Sequence, residues 1–124
     1  MQYKLTIPCT LPGLNEYIKA ERSNKHKAAA MKRDTEHIIS FVIRDQLKGI
    51  KLDRTVAMHY TWVEPNRKRD KDNIAFARKF IQDSLVNMRV LPDDGWKYIE
   101  GFTDRFVVDR EKPRVEVVIE EIGG

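Results

Sequence analysis

Thr55-Val56-Ala57-Met58-His59-Tyr60-Thr61-Trp62-Val63 decides how this chain folds. Val56, Met58, Tyr60 and Trp62 recur at period two among β-branched and aromatic residues, which predicts a strand with one buried face. Glu64-Pro65-Asn66 ends it, and the charged run Arg67-Lys68-Arg69-Asp70-Lys71-Asp72-Asn73 follows. Beyond that run Ile74, Ala77, Ile81, Leu85 and Met88, broadened by Phe80, form an apolar stripe that predicts one helix over residues 72–87. Leu91-Pro92-Asp93-Asp94-Gly95 reads as a turn. Two further strands are expected over residues 98–108 and 114–119, joined across residues 109–113 as a hairpin connection.

Upstream, Tyr3-Lys4-Leu5-Thr6-Ile7 alternates polar and apolar residues up to Pro8 and predicts a first strand. Thr10-Leu11-Pro12-Gly13 is a turn by its Pro-Gly pair, and residues 15–20 suit a short helical piece. Residues 28–47 carry Met31, Ile38, Phe41, Val42 and Leu47 mostly at helical spacing, with Lys48-Gly49 as the stop. Residues 120–124 read as a polar tail. Strand, helix, strand, helix, strand, strand predicts an α+β, two-layer domain: a mixed sheet with two main helices packed on it.

At 124 residues the chain makes one domain, spanning 1–124, and its 41% hydrophobic and 34% charged composition is that of a globular protein rather than a disordered one. No apolar run approaches the ~20 residues a membrane helix needs, and the N-terminus lacks a signal-peptide pattern. With Cys9 alone no intrachain disulfide forms, so a reducing, cytoplasmic setting is the default. The net charge of +4 permits an anionic partner. Basic residues gather at 22–33, with Lys25 and Lys27 among them, and at 67–71, which suggests one basic face. Glu116, Glu120 and Glu121 crowd the other end.

The chemistry concentrates at Asp70 and Asp72. In an extended approach to a helix, residues i and i+2 point to one side, so the two carboxylates converge. Either alone is accounted for as an ordinary helix cap. Together they repel unless neutralised, either by the flanking Arg67, Lys68, Arg69 and Lys71 or by a divalent cation. With no Cys or His nearby, an all-oxygen site suits Mg²⁺, with Mn²⁺ able to substitute, rather than Zn²⁺. Asp93 and Asp94 could fold back to add a third carboxylate, although a 16-residue helix carries them ~24 Å away first. Lys79, seven residues past Asp72, would share its helix face and reach toward a bound phosphate; an i,i+4 pair with Asp83 is the plainer account. The natural reaction at such a site is phosphodiester hydrolysis by a metal-activated water, with basic residues holding the backbone.

Arg69-Asp70-Lys71-Asp72-Asn73, then Lys79, Asp83-Ser84-Leu85 and Asp93-Asp94, resembles the signature of the RusA family of Holliday junction resolvases. The resemblance is strongest over residues 62–100 and extends more loosely to both ends of the chain. It implies a homodimeric, Mg²⁺-dependent endodeoxyribonuclease that resolves four-way DNA junctions by paired symmetric nicks in recombination and repair. Carried over, Asp70, Asp72 and Asp94 match the metal-binding carboxylates, Lys79 matches a lysine near the scissile phosphate, and Asn73 matches the Asn beside the second Asp. The interval from Asn73 to Lys79 is about three residues longer than in shorter members, and Gly95-Trp96 follows the Asp pair where others differ.

A four-way junction is approximately two-fold symmetric, so an isologous dimer would place two acid clusters suitably. Phe102 and Phe106 are interface candidates; Trp96 and Tyr98 suit core, interface or base-wedging roles. Two other functions remain compatible with the residues: a non-catalytic nucleic-acid-binding module, and a general metal nuclease acting on flaps, forks or RNA.

Overall fold

The computed structural model describes residues 1–122; Gly123 and Gly124, part of the expected tail, lie outside the described residues. Four strands form one mixed sheet: β1 (Gln2–Ile7), β2 (Val56–Glu64), β3 (Ile99–Val108) and β4 (Arg114–Glu121), in the order β1-β4-β2-β3. Helices α1 (Leu14–Ser23), α2 (Lys25–Leu47), α3 (Lys71–Ala75) and α4 (Arg78–Asn87) complete the fold, which is the expected α+β arrangement.

One sheet face is the core. Leu5 and Ile7 of β1, Met58, Tyr60 and Trp62 of β2, and Val115, Val117 and Ile119 of β4 are buried there with Ile39 and Ile43 of α2 and Ile81 and Leu85 of α4. Tyr60 and Trp62 stack with centroids 5.4 Å apart, and Gln82 Nε2 donates to the Tyr60 hydroxyl at 3.0 Å. Burial pushes the Tyr60 phenol well above its ordinary pKa. The opposite face is polar, where His59 bridges Thr103 of β3 and Glu120 of β4.

Three expectations change. β3 and β4 are not a hairpin: β2 lies between them, parallel to β3 and antiparallel to β4. Residues 109–113 cross two inter-strand spacings, about 10 Å, over the end of β2, where Asp109 N–H donates to Glu64 O at 2.9 Å. A five-residue link spans that as easily as it closes a hairpin. Second, the helix expected over 72–87 breaks at Phe76-Ala77. There Ala77 N–H donates to Ile74 O and Lys79 N–H to Phe76 O, i→i+3 bonds that tighten the turn and shift the phase of all that follows. Third, the second helix starts early, at Lys25, because the Asn24 side chain accepts from Lys27 N–H at 2.9 Å and caps it.

Candidate metal and nucleic-acid site

The site begins where β2 ends. Asn66 Oδ1 accepts from Lys68 N–H, turning the chain back, and Arg69 then returns its guanidinium to Glu64. Nε and Nη2 donate to the two Glu64 oxygens at 3.0 and 2.8 Å, a bidentate pair, while Nη1 donates to Leu11 O and Glu16 Oε1. Glu64 is buried at 7% exposure. Its hydrogen bonds are the main cause holding the Arg69 guanidinium above its ordinary pKa. Arg69 thus fixes the base of the acidic loop from inside the protein.

Asp70 occupies the N-cap of α3 with extended backbone, and its carbonyl starts the helix by accepting from Ile74 N–H at 3.0 Å. Its side chain makes no cap bond, so the carboxylate is left to solvent. Among the described residues the Asp72 carboxylate accepts only from the adjacent Asn73 N–H, at 2.9 Å. Among the described residues neither carboxylate joins an ion pair, despite the flanking cations. Both open onto a cleft of about 850 Å³ with Arg67 and Lys71 on its rim and Ile74, Phe106 and Val108 as apolar lining. Lys71 Nζ lies 5.6 Å from the centre of the Phe106 ring.

Asn73 closes the second lock. Gly13 is the N-cap of α1 and has no side chain to offer the free N–H groups of that helix. Asn73 Oδ1 takes the role from outside, accepting from Asn15 N–H at 2.8 Å, while Glu16 Oε1 accepts from Gly13 N–H. The approach needs glycine: a Cβ there would sit 2.5 Å from Asn73 Oδ1 and 2.8 Å from Asn73 O. α1 is therefore nailed to α3 one residue from Asp72.

A family model described as Endodeoxyribonuclease RusA matches residues 7–120. The chain belongs to the RusA endodeoxyribonuclease family. Among curated proteins none matches it.

The residues that the RusA signature marks fall in three places. Asp70 and Asp72 share the cleft with Arg67 and Lys71, while Arg69 also borders it but is spent on Glu64 and Glu16. Lys68 is exposed beside them. Asp94 is not brought to the cleft within the chain. It precedes β3, whose first residue, Ile99, pairs with Val56 at the opposite end of the nine-residue β2. At ~3.3 Å per residue that is about 27 Å from the cleft end, because a parallel β2–β3 pair returns the chain to the start of β2 before β3 begins. Among the described residues no group of three or more His, Cys, Asp or Glu side chains is placed to hold a metal.

Lys79 of the RusA signature lies on the α2–α4 seam. Its ammonium is 3.7 Å from Asp83, which Lys32 also approaches at 3.6 Å. Glu36, beside them, is pushed above the usual carboxylate range by burial. Lys25 and Lys27 are exposed in the first turn of α2, beyond the far end of α1. Two features escaped the sequence reading. Glu64, read as a strand terminator, is the buried anchor of Arg69. Lys19 lines a second cleft with Asn15 and with Arg22, the first residue of the expected basic cluster, on an α1 face whose i, i+4, i+7 spacing does signal it.

Proposed function

We propose that this protein is a Mg²⁺-dependent endonuclease, tolerant of Mn²⁺, that resolves four-way DNA junctions as a homodimer in recombination and repair. The observation that carries the reading is the pair Asp70 and Asp72: two solvent-facing carboxylates, without ion-pair partners among the described residues, on a basic-rimmed cleft in a RusA-family chain. The donor set is hard oxygen only and fits Mg²⁺, which binds through one or two carboxylates together with substrate phosphate and water. Bound there, Mg²⁺ supplies charge neutralisation and water activation at neutral pH.

The chain's own residues do the rest. The Arg69–Glu64 pair and the Asn73–Asn15 hydrogen bond hold the backbone that carries the two carboxylates, so little reorganisation is left for the reaction. Arg67, Lys68 and Lys71 receive phosphates beside the acids, and Lys19 and Arg22 extend that basic track along α1. The third carboxylate, Asp94, comes from a second copy, since within one chain it stands at the wrong end of the sheet. Two copies related by a two-fold axis then form two equivalent sites, matching a junction that needs two symmetric cuts.

Asp70→Asn tests the reading with a synthetic four-way junction and Mg²⁺. The expected outcome is junction binding close to wild type with cleavage reduced by at least about 10³-fold. Metal-dependent cleavage untouched by the substitution would remove Asp70 from the site. Salt-sensitive binding by the wild type with no nicks in Mg²⁺ or Mn²⁺ would identify a binding module instead.

A further inference from the structure

Arg78 and Lys79 are adjacent on α4, and the fold sends them to different places. Lys79 points to α2, where Asp83 holds its ammonium at 3.7 Å beside Lys32. Arg78, about 100° round the helix, points to β3. The break at Phe76-Ala77 sets this phase, since its i→i+3 bonds tighten the chain just ahead of α4. The cation that follows Lys71 along the sheet is therefore Arg78.

Three β3 side chains share the face that meets it. Phe102, Asp104 and Phe106 stand opposite Met58, Tyr60 and Trp62 of β2, at intervals of about 7 Å for alternate residues of a strand. Phe106 lines the acid cleft, with Lys71 over its ring. Asp104, one step along, accepts from the buried Trp62 indole N–H at 2.8 Å and pairs with Arg78 Nη1. Phe102, a step further, lies under the guanidinium, whose Cζ is 4.1 Å from the ring centre. Asp104 is thus fixed by the core, and it fixes Arg78 about 7–13 Å along β3 from the cleft's Phe106.

The guanidinium is held but not used up. Arg69 spends its donors on Glu64, Leu11 and Glu16. Arg78 has one acceptor among the described residues, Asp104, which leaves most of a guanidinium's N–H groups without a protein partner. Its side chain is 28% exposed. A planar fork laid on an aromatic ring, anchored at one edge and open at another, suits two oxygens of one phosphate.

We infer that Arg78, and not Lys79, takes a backbone phosphate of the substrate within a few nucleotides of the scissile one, and that Asp104 and Phe102 position its guanidinium. The inference rests on the nucleic-acid substrate proposed above and adds a contact that the RusA signature does not mark. It continues the basic rim of Arg67 and Lys71 along the sheet.

Binding to a synthetic four-way junction, followed against salt concentration without divalent ions, tests it independently of the metal site. Arg78→Gln removes the charge and keeps a donor for Asp104, and circular dichroism checks its fold. It is expected to weaken binding about tenfold and to make the slope of log K against log salt shallower by about one phosphate contact. Replacing single phosphates around the cut with neutral methylphosphonates locates the contact: one position should cost the wild type about tenfold and cost Arg78→Gln nothing more. Arg78→Lys, which keeps the charge beside Asp104, should restore the slope but only part of the affinity, because it lacks the fork. A folded Arg78→Gln protein with the wild-type slope and methylphosphonate profile overturns the inference and leaves the pair as a tie between α4 and β3. Both effects appearing in Lys79→Gln instead overturn it too. A wild type that binds no junction overturns the proposed function with it. The Arg78 effects without metal-dependent nicks support this contact and remove only the nuclease.

Discussion

Arg69 sits in a run of cations that reads as a phosphate-binding strip, yet it faces inward. Its partners explain why the sequence could not say so. Glu64 is five residues back on a strand, and Leu11 and Glu16 are 58 and 53 residues away. Only the fold brings them to one guanidinium. Arg67 and Lys71, by contrast, stay on the cleft rim as the run suggested. Replacing Arg69 with Ala strands a buried carboxylate, so a loss of about 3 kcal/mol is expected in urea unfolding, from the cost of breaking a buried pair. Arg69→Lys should recover little of it, since an ammonium cannot make the bidentate contact. A loss under about 0.5 kcal/mol for Arg69→Ala would mean that the pair is not a structural tie.

Among elements, the most legible was β2, because its alternation over Val56, Met58, Tyr60 and Trp62 reflects a single buried face. Least legible were the pairings of β3. A five-residue link looks the same whether it joins neighbours or steps over a strand, and nothing local to residues 109–113 distinguishes the two. The break between α3 and α4 is likewise invisible to periodicity, since Phe76 and Ala77 keep helical backbone angles. The α1–α3 lock was half visible: Pro12-Gly13 reads as a turn, but the need for glycine comes from Asn73. Gly13 has φ −95°, which alanine adopts freely, so the cost of Gly13→Ala is steric. Overpacking of this kind costs about 1–3 kcal/mol. Because the displaced residue adjoins Asp72, the melting temperature and the metal-dependent cleavage rate are expected to fall together. Unchanged cleavage in a destabilised Gly13→Ala protein would show that the lock serves stability alone.

For the molecule as a whole, the α+β class was legible in the sequence because strand and helix periods are local properties, and the Asp70-Lys71-Asp72 spacing does bring two carboxylates to one cleft. The position of Asp94 is not local. It depends on β3 running parallel to β2, which sends the loop of residues 91–98 back to the start of β2 and away from the cleft. The metal site proposed from Asp70, Asp72 and Asp94 therefore calls for two copies. No helix among the described residues is long and apolar enough to cross a membrane.

Complementation between inactive variants measures this directly. Asp70→Asn and Asp94→Asn are each expected to lack junction cleavage alone. Mixed and allowed to exchange subunits, they form a heterodimer in which one site joins intact Asp70 and Asp72 of one copy to intact Asp94 of the other. Nicking of one strand per junction should reappear, at up to about a quarter of the wild-type site concentration for random pairing. A mixture that exchanges subunits and stays inactive would contradict the account, since it would place all three carboxylates within one chain.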